Sequence, residues 1–547
     1  MRRLLVGSFA AAALFALGPF AGPASATRPE CDEPTALCTE PVDSIGYAGA
    51  YTGHDEPSLL FYSDRAGSGN SSAYRLRLPT DPKVMPNQSG TAGTWNFQLH
   101  PAFWLGMALC DNQSAPEYTH APCRADSDTN IFDGTDPSAA DYIGKHPGTA
   151  FLEVQFYPPG WAPWPPGVSC DPTKWCAAMA IFSLLQDQNA GVLNNNDCRT
   201  RAGDEPANFA FITRSGVPHA PPAPLSQTNA TFTPSAATDL FMSSGDDLAV
   251  DVHDGAAGLT VIVRDLTNGR TGSMTASAAN GFAQVNFDPA AATCSQTPYS
   301  FRPMYATSSE HTRVPWAAHS YNVAFSDEIG HFEYCTAMTG EGGDCLANNE
   351  AALDGDDTGC FSPAFSLLVQ IGGCIATDND FDGVSYQPVW PGTNPNRGQD
   401  AKFHPSSVEF TSPVFNGSRN YSRVAFEADL PRIEAADFGG HCDRFTGTGC
   451  TNPPPGANFY PIFTTGSSQG DNNGDHGDRS ARNNDENGNC VWHLGGTNIK
   501  GTTNTFGGNS TAEFGPLLFS FYPNPNPAVR RRANNYRRIL GFNPCPA

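Results

Sequence analysis

Two stretches of the chain alternate apolar and polar residues with a period of two, and this constrains the fold more than any other feature. In the first, Ala150, Leu152, Val154 and Phe156 fall on one side, and Phe151, Glu153, Gln155 and Tyr157 on the other. In the second, Leu248, Val250 and Val252 alternate with Ala249, Asp251 and His253. Successive side chains of a strand point to opposite faces, so each pattern describes a strand with one face in a core. The run from Gly258 to Ser277 adds two strands joined around Asn268-Gly269, a hairpin signal. Phe282 to Phe287 reads as the next strand. Lys174 to Asp187 and Ala207 to Gly216 are further strand candidates, the first also short enough to be a helix. Ser215 to Pro234, with Pro218, Pro221, Pro222, Pro224 and Pro234, reads as a long surface crossing or linker.

Composition matters next because it extends this reading to the whole chain. With 54 Gly, 47 Pro and 35 Phe against 16% charged residues, turns and aromatics are abundant and helix formers scarce. The expected class is all-β with antiparallel strands and long loops, followed by a Cys- and Asp-rich β and loop region. The expected division is a secretory leader over residues 1–26, an N-terminal arm over 27–44, a first β unit over 45–335 and the second region over 336–547.

The leader is read from Arg2 and Arg3, the apolar run from Leu4 to Phe20 and the Ala24-Ser25-Ala26 cleavage pattern. All 16 cysteines lie beyond it, an even number, as a disulfide framework in an exported protein requires. Close spacing suggests local loops at Cys31/Cys38, Cys110/Cys123, Cys170/Cys176 and Cys442/Cys450. The net charge of −24 argues against nucleic acid and anionic lipid as partners. No later stretch has the apolar length of a membrane helix. A local exception to the acidity is the cluster Arg530, Arg531, Arg532, Arg537 and Arg538, read as a tail packing back on the acidic body.

Candidate chemistry begins on the strand within residues 146–164. Glu153 and Gln155 lie between Phe151 and Tyr157, and a Pro-rich turn with Trp161 and Trp164 follows. An acid and an amide flanked by rings suit a groove for a polar chain, with the aromatics as stacking surfaces for sugars. A second acid-bearing strand sets Val424, Phe426, Ala428 and Leu430 against Arg423, Glu427 and Asp429. Glu427 or Asp429 is the candidate partner acid for Glu153, if not ion-paired with Arg423 and Arg432.

The strand rhythm of residues 45–335 and the acid-bearing strand around Glu153 resemble the concanavalin-like β-sandwiches of legume lectins, several glucanases and the glutamic peptidases. That resemblance implies an antiparallel β-sandwich of jelly-roll type over residues 45–335, with catalytic Glu, Asp or Gln on a concave face, a placement Glu153 and Gln155 match. The E-x-D-x-x-E run of the glucanases is not present here.

Metal chemistry has three candidates. Asp378, Asp380 and Asp382 precede Gly383, the alternating carboxylates and turn glycine of a calcium loop, with the Val384 carbonyl as the next ligand. Val389 stands where a full EF-hand loop carries Glu. Asp126, Asp128 and Asn130 offer a shorter oxygen-rich turn. His311, His319 and His331, interspersed with Glu310, Asp327, Glu328 and Glu333, are a transition-metal alternative. Gly466 to Gly470 matches G-x-S-x-G, but the Gly/Asn/Asp run after it cannot form the helix that mechanism requires.

The expectation is a secreted, disulfide-rich, calcium-stabilised protein acting on polysaccharide or cell-wall glycan. Glu153 would be acid/base or nucleophile, and Gln155 would position substrate or water. The alternatives are a non-catalytic carbohydrate-binding or wall-associated module, a glutamic-type peptidase, and a metalloenzyme centred on the three histidines.

Overall fold

The computed structural model describes a continuous block at residues 205–303 and, before it, residues 58–63, 71–78, 103–114, 123, 148–157, 170–171, 173–183, 185–187 and 191–203. After that block it describes residues 306–307, 312–320, 335–338, 345–348, 409–412, 423–428, 463–467, 490–494, 517–521, 532–540 and 543–545. These residues are mostly strand.

In chain order the strands are β1 (Ser58–Ser63), β2 (Ser71–Arg77), β3 (Phe103–Asp111), β4 (Gly148–Tyr157), β5 (Cys176–Ser183), β6 (Gln186–Asp187), β7 (Val192–Leu193) and β8 (Ala207–Phe211). Next come β9 (Asp247–Gly255), β10 (Gly258–Asp265), β11 (Arg270–Thr275), β12 (Ala283–Val285), β13 (Gln296–Pro298), β14 (Arg302–Pro303), β15 (Ala306–Thr307) and β16 (Thr312–Ser320). The remainder are β17 (Cys335–Met338), β18 (Cys345–Asn348), β19 (Glu409–Phe410), β20 (Arg423–Ala428), β21 (Phe463–Ser467), β22 (Cys490–Leu494), β23 (Leu517–Phe521) and β24 (Arg532–Leu540). Helix α1 (Asn196–Ala202) starts where the Asn195 side chain accepts from the Cys198 N–H and ends at Gly203, whose φ of 80° favours glycine.

Two large sheets hold the main body. The first has the order β23-β24-β20-β1-β16-β3-β4-β5-β8, with β14 also on β3 and β15 on β16. The second runs β11-β10-β9-β2-β19-β22-β21. Every strand pair among the described residues is antiparallel. Both sheets draw strands from the 45–335 and 336–547 stretches: β20, β23 and β24 extend the first, and β19, β22 and β21 the second. The basic cluster lies partly in β24, which pairs with β20 so that Arg537 stands opposite Glu427.

The alternation of β9 is realised residue by residue, with Leu248, Val250, Val252 and Asp254 buried and the residues between them half-exposed. Its neighbour β10 follows the same rule. By contrast β5, an interior strand of the first sheet, is buried on both faces. This accounts for its near-continuous apolar sequence, which reads ambiguously as strand or helix. The hairpin around Asn268-Gly269 forms with a four-residue loop, since Asp265 pairs with Arg270 and Gly269 adopts φ 72°.

Residues 215–234 do more than cross the surface. Pro222, Ala223, Pro224 and Thr231 are buried, the Pro222 carbonyl accepts from the Phe209 N–H at 3.1 Å, and the Phe232 ring lies 5.2 Å from that of Phe209. The segment therefore covers edge strand β8, whose unpaired backbone would otherwise invite another chain.

Disulfides join Cys110–Cys123, Cys170–Cys176, Cys198–Cys294 and Cys490–Cys545. The first two are the local loops expected from spacing, while Cys31/Cys38 and Cys442/Cys450 lie outside the described residues. The Cys198–Cys294 bridge spans 96 residues and ties α1 to the segment after β12. No helix among the described residues is long and apolar enough to cross a membrane.

Candidate functional site

The site is built on β4, which lies between β3 and β5. Residues directly opposite in an antiparallel pair share a face, so register defines what surrounds each side chain. Glu153 stands opposite Gly106 on β3 and Ala180 on β5, and Gln155 opposite Ala178 on β5. Tyr157 stands opposite Cys176 and Phe151 opposite Phe182. The cross-strand neighbours of Glu153 are thus small. Gly106 cannot be larger, because a Cβ there would lie 2.6 Å from the Leu152 carbonyl oxygen and 2.7 Å from Phe151 Cζ. The Phe151 ring covers that glycine.

The three polar side chains of this face form a hydrogen-bonded row. Gln155 Nε2 donates to Glu153 Oε2 at 2.5 Å, and the Tyr157 hydroxyl donates to Gln155 Oε1. Glu153 is half-buried, whereas Gln155 and Tyr157 are almost fully covered. The covering is apolar: Tyr157 belongs to a cluster with Ala178, Ala180, Phe209 and Phe211, and Phe182, Phe232 and Phe241 pack against it. This face therefore has a dry end at Tyr157 and a wetter one at Glu153.

Desolvation sets the electrostatics of the row. Burial pushes the Glu153 carboxyl up to about 7; the Gln155 hydrogen bond opposes that rise, and the negative charge of Glu205 adds to it. Tyr157 is held well above the usual phenol range by burial and by the Glu153 charge, so it remains a neutral donor. A carboxyl that titrates near neutrality can both give and take a proton under physiological conditions.

Other candidates are placed by register alone. Glu427 lies in the same row as Glu153, through Gly106, Ala317 and Ser58, but four inter-strand steps away, about 19 Å along the sheet at the usual strand spacing. Paired carboxylates that cleave glycosides stand about 5 to 10 Å apart. His319 occupies the row of Gln155, through Trp104, two steps away, or about 10 Å. Asp429, Trp161, Trp164, Asp126, Asp128, Asn130, Asp378, Asp380, Asp382, Val384, His311 and His331 lie outside the described residues. Among the described residues no group of three or more His, Cys, Asp or Glu side chains is placed to hold a metal ion.

Glu205, which acts on Glu153 across space, carries no sequence signal, because it sits in the turn before β8 rather than in an alternating run. A His-carboxylate pair likewise escapes sequence reading. His219 stacks on Phe211, its Nδ1 lies 2.7 Å from Asp239 Oδ1 and its Nε2 2.9 Å from the Ala230 carbonyl oxygen. Both ring nitrogens are engaged by acceptors, so neither is available to activate a nucleophile.

A buried hub closes the other end of the same strands. Asp111, at the end of β3, is fully buried and accepts from the hydroxyls of Ser183 and Ser114, the amide of Gln284 and the backbone N–H of Gln113. It joins β3, β5 and β12 and offers no open coordination. Comparison of the chain with protein-family models, curated proteins and solved structures finds no match.

Proposed function

We propose that this is a secreted, calcium-stabilised protein of concanavalin-like sandwich architecture that acts on extracellular polysaccharide, with Glu153 as the proton-donating carboxyl. The observation that carries this reading is the position of Glu153. It is a half-buried acid with a titration range raised to about 7, on a strand face beside an amide and the Phe151 ring. Such a group suits general acid catalysis at a glycosidic oxygen. The two large, wholly antiparallel sheets are what supports a sandwich architecture. The leader sequence and the paired cysteines support export.

A second reading has its own observation. Glu427 is four strand steps from Glu153, which favours a lectin-like face that binds glycan without cleaving it. Reducing-end release from a panel of polysaccharides separates the two. Hydrolysis is expected from the native protein, with at least about a 100-fold loss in Glu153→Gln. Glycan binding that persists in Glu153→Gln, with no product from either protein, would replace the hydrolase reading by the lectin-like one. Acid-dependent cleavage of unfolded protein, lost in the same variant, would point to a peptidase instead.

Calcium rests on the Asp378-Asp380-Asp382-Gly383 motif. Elemental analysis of the purified protein is expected to find calcium. Chelation is expected to lower the unfolding temperature, since a ligand at about 100 times its Kd stabilises by about 2.7 kcal/mol. An unchanged melting curve after complete removal of divalent ions would end the calcium proposal. A tightly bound transition metal lost in His319→Ala would move attention to the histidine-bearing strand.

A further inference from the structure

We infer that Gln155 and Tyr157 are positioning residues for the Glu153 carboxyl: the phenol fixes the direction of the amide, and the amide fixes which carboxyl oxygen carries the proton. This rests on the proposed role of Glu153 but is decided by the geometry of the β4 row.

An amide has a donor end and an acceptor end, and a carboxylate only accepts. With the Tyr157 hydroxyl donating into Gln155 Oε1, the Gln155 NH₂ faces Glu153, where Nε2 lies 2.5 Å from Oε2. Glu153 Oε2 is therefore occupied as an acceptor. The exchangeable proton belongs on Oε1, the oxygen left to meet a substrate. Were the amide reversed, its carbonyl would face the carboxyl, and a protonated Glu153 would donate inward through Oε2. That proton would be locked in an internal bond and withheld from any bound sugar. Reversal also obliges the Tyr157 hydroxyl to accept from the amide instead of donating to it.

Burial is the largest influence on the Glu153 carboxyl, and the Gln155 hydrogen bond is the strongest directional one. On β5 the facing residues are Ala178 and Ala180, and on β3 Gly106 faces Glu153. The charge acting on Glu153 across space is that of Glu205, and the Glu153 charge in turn acts on Tyr157. His319 is two strands away by register. Tyr157 packs among Phe209 and Phe211, so Tyr157→Phe keeps the ring in its cluster while deleting only the donor.

The experiment is pH-difference infrared spectroscopy of the full-length protein, in which the spectrum of Glu153→Gln is subtracted to isolate the Glu153 carboxyl band. The native midpoint is expected near 7. Gln155→Leu is expected to move it upward by about one pH unit, because the lost donor favoured the charged form. Tyr157→Phe should move it upward by less. The double variant should match Gln155→Leu alone, since the phenol acts only through the amide. A midpoint unmoved in Tyr157→Phe, or a double variant showing the sum of the two single shifts, would overturn the relay. No substrate enters the measurement. The relay can therefore hold where the polysaccharide reading fails, and the reverse.

Discussion

Asp111→Ala is expected to cost about 3–5 kcal/mol of folding stability, because it orphans several buried hydrogen-bond donors at once. The carboxyl is fully buried and accepts from Ser183 Oγ and Gln284 Nε2 at 2.5 Å each, Gln113 N at 2.9 Å and Ser114 Oγ at 3.2 Å. Alanine leaves four donors facing a small void, and each orphaned donor costs about 1–3 kcal/mol before relaxation. Ser183→Ala removes one donor and leaves the acceptor with three, so its expected cost is about 1 kcal/mol. Urea denaturation at unchanged slope measures both. A loss below about 1 kcal/mol for Asp111→Ala would show that the hub contributes little. Burial holds the Asp111 carboxyl above its usual range against the pull of its donors. The unfolded chain therefore releases this proton at lower pH than the native one. The Asp111 contribution is complete below the ordinary carboxylate range and declines as pH rises through the elevated one. Asp111→Asn should flatten that decline.

Arg302→Met is expected to lose a similar amount, about 3–5 kcal/mol, for a different reason. Arg302 in β14 donates to Asp254 Oδ1 at 2.9 Å, to the Gly255 carbonyl and to the Ala256 carbonyl at 2.7 Å. The Asp254 side chain is wholly buried and that of Arg302 nearly so. The pair joins a strand of the first sheet to the β9–β10 turn of the second. Removing the cation takes the opposite charge away from a buried carboxylate, whereas replacing both partners removes the desolvation cost along with the attraction. Arg302→Met with Asp254→Leu should accordingly recover much of the loss, and a double-mutant cycle gives the coupling directly. If the double variant is no more stable than Arg302→Met, the loss of opposite charge at Asp254 is not the cause.

Both residues illustrate where reading the chain stops. Asp111 closes an apolar run and nothing local distinguishes it from a solvated cap, while Asp254 continues the buried side of the β9 alternation with nothing local to name its partner. Their partners lie up to 173 residues away for Asp111 and 48 for Asp254. The same holds for disulfides. Cys110–Cys123 and Cys170–Cys176 are legible from spacing, since short loops close cheaply. Cys198–Cys294 and Cys490–Cys545 join distant segments, the first of them helix α1, that only the completed fold brings together.

Local alternation alone sets the strand character of β4, β9 and β10 and the side of β4 on which Phe151, Glu153, Gln155 and Tyr157 fall, because a two-residue period is a property of the backbone. It did not determine what would cover that side. The tertiary structure laid Phe209, Phe211 and residues 215–234 over the Tyr157 end, left Glu153 half-buried, and placed Glu205 close enough for its charge to be felt. It also set three strands between Glu153 and Glu427. Strand order and burial arise from pairings between distant segments, which no local pattern encodes, and they decide the solvation that makes a carboxyl reactive.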